Sequence, residues 1–311
     1  MPSSFAPGKI ILFGEHAVVY GQPAIAVPVM QVGVRVHVEP RQSGQRIRAP
    51  AVNLDADLSE LPAGDPLSAA LRAVQAALKR AELPGFELGV QSTIPLAAGL
   101  GSGAAVSVAL IRAFSTFLGQ PLPDEQVNAL AYEIEKIHHG TPSGIDNTVI
   151  TYARPVYYTR GQPIRTLTVA APFTIVIADT GIPSPTAAAV SDVRAAWRAD
   201  KPRYERLFSA VGGIVRQARQ AIENGQPQAL GPLMNQNHAL LREIGVSSPE
   251  LDRLVNAAQQ AGAWGAKLSG GGRGGNMIAL ASPERAPQLA HTLQAAGAAR
   301  TIVTRVDEHT A

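Results

Sequence analysis

The 311-residue chain has no cysteine. Disulfides, thiolate metal sites and a cysteine nucleophile are thereby excluded. No apolar run reaches 18 residues, and the first nine residues, Met-Pro-Ser-Ser-Phe-Ala-Pro-Gly-Lys, lack the charged and apolar segments of a secretory leader. A cytoplasmic protein with no membrane partner is the expectation. Charge is scarce: Asp, Glu, Lys and Arg make up 16%, and 27 basic against 24 acidic residues leave a net +3. Lys/Arg blocks and basic patches interleaved with aromatics do not occur, so nucleic acid is not an expected partner. Apolar residues at 46% suit a compact mixed protein rather than a disordered one, and the length suggests two domains.

The most informative stretch is Ile94-Pro-Leu-Ala-Ala-Gly-Leu-Gly-Ser-Gly-Ala-Ala-Val-Ser-Val-Ala-Leu110. Gly99, Gly101 and Gly103 weaken helix and strand alike, whereas residues 104–118 are almost purely apolar and rich in helix formers. The join is a glycine turn feeding a helix N-terminus. Exposed N–H groups and the positive end of the helix dipole favour a phosphate there. Ala97, Ala98, Gly99, Leu100, Gly101, Ser102, Gly103 and Ala104 are therefore expected to hold the phosphates of a nucleoside triphosphate. A packing turn that brings helices close would use the same small residues. The dinucleotide spacing fits formally at Gly99-x-Gly101-x-x-Ala104, but Thr93-Ile94-Pro95 interrupts the strand it needs, and Asp124 opens a helix rather than ending a strand. Walker A is absent, since Gly8-Lys9 is followed by Ile10.

Before this stretch, residues 9–13, residues 24–29 and the alternating Val32, Val34, Val36 and Val38 read as strands. Gly14-Glu-His-Ala-Val-Val-Tyr-Gly21 is a polar loop bracketed by glycines. Lys9, Glu15 and His16 thus fall at strand ends or in a loop, where sites usually form, although each alone is also an ordinary solvated residue. Leu67, Leu71, Val74 and Leu78 predict a helix within 64–82, stopped by Pro84-Gly85, and residues 86–91 a short strand.

After it, Asp124 caps a helix whose stripe is Val127, Leu130, Ala131, Ile134 and Ile137. Glu133 and Glu135 flank that stripe, and periodicity does not choose between them. His138-His139 lack a third ligand at helical spacing, which argues against zinc. Residues 141–147 form a turn cluster with Asp146 near its exit, where an Asx turn is the plain reading. The texture loosens over residues 159–172, a domain boundary. A buried strand over 173–178 follows, ending in Asp179-Thr180-Gly181, then helices over 186–198, 204–223, 227–244 and 249–261. Lys267-Leu-Ser-Gly-Gly-Gly-Arg-Gly-Gly-Asn276 runs into a strand over 277–280. A helix from Ser282-Pro283 to 296 and an edge-like strand over 300–306 complete a two-layer second domain. Gly270-x-Gly272-x-x-Gly275 precedes a strand, not the helix a dinucleotide motif requires. Five glycines in six positions still mean that backbone comes very close to something.

Taken together, Ala6-Pro-Gly-Lys-Ile-Ile-Leu-Phe-Gly-Glu-His-Ala-Val-Val-Tyr-Gly21, residues 95–105 and Lys267-Leu-Ser-Gly-Gly-Gly-Arg-Gly-Gly275 resemble the three signature motifs of the GHMP small-molecule kinases. They arrive in the family's order across almost the whole chain. Within that family, the 14–21 loop and His139-Gly-Thr-Pro-Ser-Gly-Ile-Asp-Asn147 are most similar to the mevalonate kinases. The resemblance implies an α+β, two-domain GHMP kinase fold. Residues 1–165 would form a ribosomal S5 domain 2-like domain and residues 166–311 a ferredoxin-like domain with added helices. It also implies ATP as co-substrate, Mg²⁺ as cofactor, mevalonate as the small molecule phosphorylated at its primary hydroxyl, and a homodimer.

By position within the motifs, Asp146 matches the family's catalytic aspartate, Lys9 its first-motif lysine and Glu135 its magnesium-binding glutamate. Glu15 and His16 match the substrate side of the first loop, to which Thr180 and Gly271 are added. His16 and the backbone of residues 270–272 would hold the substrate carboxylate. Gly103 stands where mevalonate kinases commonly carry a second serine, a magnesium ligand, which leaves Ser102, water or phosphate oxygens to complete the shell. Arg273 and Asn276 stand where small residues are more usual. Phosphoryl transfer needs positioning and charge neutralisation more than covalent help, which suits an aspartate, a lysine, a carboxylate-held Mg²⁺ and a glycine loop. Other readings of the same fold are a phosphomevalonate kinase or related small-molecule kinase, a catalytically silent nucleotide- or metabolite-binding regulator, and a decarboxylase, which the Gly-Glu-His loop fits poorly.

Overall fold

The computed structural model describes the chain apart from residues 63, 96–98, 140–141, 164, 185 and 309–311 and the side chains of His138 and His139. Strands β1 (Ser3–Phe13) and β2 (Ala24–Pro40) are long and rich in β-branched residues. β2 runs through the break expected between residues 29 and 32, because different partners hold its two ends. Residues 24–26 pair with β6 and residues 34–40 with β5. Val34, Val36 and Val38 are fully buried on one face of it.

The first half of the chain continues with β3 (Gln45–Ala49), β4 (Leu54–Asp57), α1 (Pro66–Ala77), β5 (Phe86–Ser92), α2 (Ser102–Phe117), α3 (Asp124–His139), α4 (Ile145–Tyr152), β6 (Val156–Tyr158) and β7 (Arg165–Thr166). The strands form a seven-stranded sheet ordered β4-β3-β5-β2-β6-β7, with β1 also on β2. Within this order only β3 and β5 pair in parallel. Helix α1 starts where Asp65 accepts from the Ser68 N–H at 3.0 Å, with Pro66 in its first turn. Phe86 of β5 meets Phe114 of α2 edge-on at 4.9 Å, part of the apolar layer that seats α2.

The second half builds β8 (Phe173–Asp179), α5 (Thr186–Ala199), α6 (Lys201–Glu223), α7 (Leu230–Ile244), α8 (Pro249–Gln260), β9 (Gly265–Ser269), β10 (Asn276–Ala281), α9 (Ala286–Ala295) and β11 (Arg300–Val306). Its antiparallel sheet is ordered β11-β8-β10-β9, so the last strand lies beside the first and the second closes the far edge. β9 is an addition to the three strands expected here. It packs on α7 at a crossing where backbones nearly touch, since a Cβ on Gly265 would lie 2.1 Å from the Gly231 carbonyl oxygen.

By contact the chain forms two units. One comprises Met1–Gly8, Val32–Pro95 and Gly101–Ala153, and the other Lys9–Gln31, Leu96–Leu100 and Arg154–Ala311. Strands β1 and β2 each contribute residues to both. Composition between 159 and 172 carries no sign of such shared strands. Among the described residues, no helix is long and apolar enough to cross a membrane.

Candidate active site

The glycine turn enters α2 as the sequence led us to expect. Gly99 (φ +73°) and Gly101 (φ +77°) both adopt the left-handed conformation that side chains disfavour. Gly101 is the N-cap of α2 and supplies no side-chain acceptor. The earliest N–H of the helix to find a helical partner is that of Ala105, which donates to the Gly101 carbonyl at 2.9 Å, so the amides of Ser102, Gly103 and Ala104 precede the helical ladder. Leu100 is 2% exposed, and its carbonyl accepts from the Lys9 N–H at 3.0 Å, tying the turn to β1. Ala97 and Ala98 of the expected phosphate loop lie outside the described residues.

Burial separates the two glutamates that periodicity could not. Glu133 is exposed and pairs with Lys136 at 2.6 Å, whereas Glu135 is 4% exposed on α3. Glu135 turns toward the start of α2: a Cβ at position 103 would lie 3.1 Å from its Oε1. Gly103 is therefore the residue that lets this carboxylate approach the helix N-terminus so closely. A buried carboxylate, the neighbouring Ser102 and the space left by Gly103 make an oxygen donor set that fits Mg²⁺, an ion that keeps several waters. Among the described residues, no group of three or more His, Cys, Asp or Glu side chains could hold a metal by itself. Asp146 is half-buried in the first turn of α4, behind a left-handed Gly144 that caps the helix. It sits on a helix rather than in the Asx turn its local sequence suggested. Lys9 is 4% exposed within β1.

The first-motif loop is held by contacts far apart in sequence. Gly14 (φ +100°) is required there, since a Cβ would lie 2.6 Å from Ala24 Cα. Glu15 is 1% exposed and its two oxygens are both engaged: Oε1 pairs with Lys267 Nζ, and Oε2 accepts from Asn237 Nδ2 at 3.0 Å. Each oxygen of the Glu15 carboxylate thus has a partner within the protein. His16 adopts φ +59°, strained for a non-glycine residue, and its Nε2 bonds the Gly271 carbonyl at 3.0 Å. Burial lowers its pKa to about 4, the Gly271 bond opposing and Arg273 adding to the effect. At neutral pH His16 is uncharged, its Nε2–H is given to Gly271, and Nδ1 is left as an acceptor. A carboxylate has no proton to offer such a nitrogen.

Thr180, at the end of β8, donates its hydroxyl to the Gly275 carbonyl at 3.0 Å and accepts from the Ile182 N–H at 3.2 Å. It holds the third glycine run in place. In that run the close approach deduced from sequence is largely to protein. A Cβ at Gly272 would lie 1.9 Å from the Val246 carbonyl oxygen, one at Gly274 2.7 Å from that of Ile182, and one at Gly271 2.8 Å from Thr186 Oγ1. At Gly270 a Cβ would meet nothing within 4 Å among the described residues. Arg273 is another non-glycine residue with positive φ, at +59°, and it pairs with Asp192 of α5. Two residues of this region carry no role in the sequence reading: Lys267, quoted only as the start of a motif, and Asn237, whose place in the stripe of α7 gives no polar signal.

Comparison with known proteins bears on the family and the fold. A profile of the GHMP kinases N terminal domain matches residues 67–154, and one of GHMP kinases C terminal matches residues 218–299. The chain is 36% identical over 320 residues to a mevalonate kinase of Thermococcus sibiricus, covering 97% of this chain and 95% of that protein. It is 38% identical over 286 residues to one of Aeropyrum pernix, covering 88% and 87%. Its fold is similar to that of L. major mevalonate kinase, solved in complex with R-mevalonate, with a TM-score of 0.85 and 34% identity over 100% of this chain and 97% of that one.

Proposed function

The chain belongs to the GHMP kinase family, and on that premise we propose that it transfers the γ-phosphoryl group of ATP to the primary hydroxyl of mevalonate, giving 5-phosphomevalonate. One observation carries the choice of substrate: identity with mevalonate kinases extends over nearly the full length, far beyond the motifs that all GHMP kinases share. In this reading the two family domains divide near residue 165, and the protein works in the cytoplasm as a homodimer, which sedimentation velocity would test.

Main-chain N–H groups of residues 99–104 hold the β and γ phosphates at the uncapped start of α2. Ala97 and Ala98 belong to the same proposed loop. Glu135 and Ser102 would hold Mg²⁺, with water or phosphate oxygens completing its shell beside Gly103, and the ion would neutralise charge on the phosphates. Asp146 accepts the proton of the attacking hydroxyl, and Lys9 favours both the ionised carboxylate and the developing alkoxide. His16 orients the substrate by accepting a hydrogen bond from one of its hydroxyls at Nδ1. The substrate carboxylate falls to main-chain N–H groups at Gly270 and Gly271. Thr180 and Glu15 serve this end through the bonds that seat the loops.

A coupled assay of ATP turnover with mevalonate, phosphomevalonate, homoserine and galactose tests the reading. Turnover with mevalonate alone is expected. Turnover with phosphomevalonate instead would replace the substrate, and no turnover with any of the four would leave a nucleotide-binding regulator.

A further inference from the structure

Behind His16 lies a buried charge pair that the proposed chemistry does not use. The side chains of Glu15 and Lys267 are both 0% exposed. Lys267 Nζ also donates to the Leu268 carbonyl at 2.6 Å, and Asn237 closes the second oxygen of Glu15. Such a pair is a poor source of stability, because desolvating two charges offsets their attraction and well-packed apolar residues serve as well. It is a good source of register. A buried carboxylate whose oxygens each have one partner admits very few arrangements, since any other leaves a charge unsatisfied.

The residue so fixed is the immediate neighbour of His16, whose left-handed backbone needs surroundings that over-determine it. Two further bonds fasten the same segment to the third motif. His16 Nε2 donates to the Gly271 carbonyl, and Ser269 Oγ to the Ile11 carbonyl at 2.8 Å. Asn237 reaches the cluster from α7, outside all three motifs.

We propose that Lys267 and Asn237 are positioning residues that pin Glu15 and thereby aim His16 at the alcohol substrate. The proposal rests on the phosphotransfer reading above. Neither residue touches the reacting atoms in this scheme.

Lys267→Met alone would strand a buried carboxylate and threaten folding, so the informative variants are Asn237→Leu and the charge-free double variant Glu15→Gln with Lys267→Met. Steady-state kinetics with mevalonate and ATP varied separately, thermal unfolding, and ¹H NMR titration of His16 form the test. We expect the KM for mevalonate to rise about three- to tenfold in both, the scale of losing a hydrogen bond between neutral groups. The KM for ATP should change by less than about twofold. The double variant should melt close to the wild type, and its His16 should titrate nearer the free imidazole value. Wild-type KM for mevalonate in both variants overturns the proposal, as does a parallel rise in both KM values with a lowered Tm, the mark of a merely structural role. Should the wild type itself fail to phosphorylate mevalonate, the functional reading falls. The clamp is then decided by titration alone, and unchanged His16 titration in the double variant overturns it.

Discussion

Acidification should destabilise this protein through two buried histidines. His16 and His238 are both pushed from 6.5 to about 4. Burial is the main cause at each. Arg273 adds to it at His16, and Lys267 and Arg242 at His238, while the Gly271 carbonyl and the Asp252 carboxylate work in the opposite direction. Both residues are nearly inaccessible, at 6% and 7%, so solvent screening removes little of the effect. In the unfolded chain each binds a proton below about 6.5, and in the folded chain only below about 4. Between those values the unfolded state holds more protons, so stability is complete above pH 6.5 and is lost as pH falls toward 4. At about 1.36 kcal/mol per pH unit the loss is about 3 kcal/mol for each histidine, a large share of the roughly 5–15 kcal/mol that usually separates folded from unfolded protein. Urea unfolding at steps between pH 4.5 and 7.5 measures the slope. His16→Gln and His238→Gln should each lower it by about 1.36 kcal/mol per pH unit. An imidazole signal of His16 titrating near 6.5, or a His16→Gln variant with the wild-type slope, would refute the reasoning.

Asp146→Asn should lower kcat by at least about two orders of magnitude while equilibrium dialysis still detects ATP binding, because it removes the proposed proton acceptor and leaves the proposed phosphate turn intact. Glu135→Gln should raise the Mg²⁺ concentration needed for half-maximal rate about tenfold or more, whereas Glu133→Gln, on the exposed side of the same helix, should leave it unchanged. Gly270→Ala and Gly272→Ala both place a side chain at positive φ, each at a cost of about 1–2 kcal/mol. Gly272→Ala alone also drives a Cβ into the Val246 carbonyl, so its Tm should fall clearly further, and equal losses would contradict the packing described.

Much of the fold was legible because the second half alternates strongly patterned elements. α6, α7, α8 and β8 fall within a few residues of their expected bounds, and Ser248 with Pro249 marks the start of α8 in sequence as it does in space. What was not legible has local causes. α4 reads Ile-Asp-Asn-Thr-Val-Ile-Thr-Tyr, a β-branched string that favours a strand, yet six of its eight residues are buried and packing overrides propensity. β9 was hidden because Gly-Ala-Lys-Leu-Ser looks like the approach to a glycine loop, and a lysine in it looks solvated. That same lysine is fully buried, because its partner lies 252 positions away, a separation no periodicity reports. The choice of Glu135 over Glu133 came from the resemblance before burial separated them.

The glycines divide into two kinds, and the division bears on the chemistry. In the run from 270 to 275, Gly271, Gly272 and Gly274 make room for other parts of the protein, and a side chain at any of them would meet an atom within 3.0 Å. Gly99 and Gly101 instead give the backbone a conformation, and among the described residues a Cβ at Gly99 would meet only Asn276 Nδ2, at 4.0 Å. Gly103 belongs to neither kind. Its backbone lies in the ordinary helix of α2, where alanine or serine would favour the helix, and a Cβ there would press on Glu135 Oε1 at 3.1 Å. A serine at this position would bring a hydroxyl beside that carboxylate, able to donate to it or to share its ion. With glycine, no side chain stands between the carboxylate and the helix N-terminus. On the proposed reading, a cation held by Glu135 would take a solvent or phosphate oxygen where a serine would offer a fixed hydroxyl.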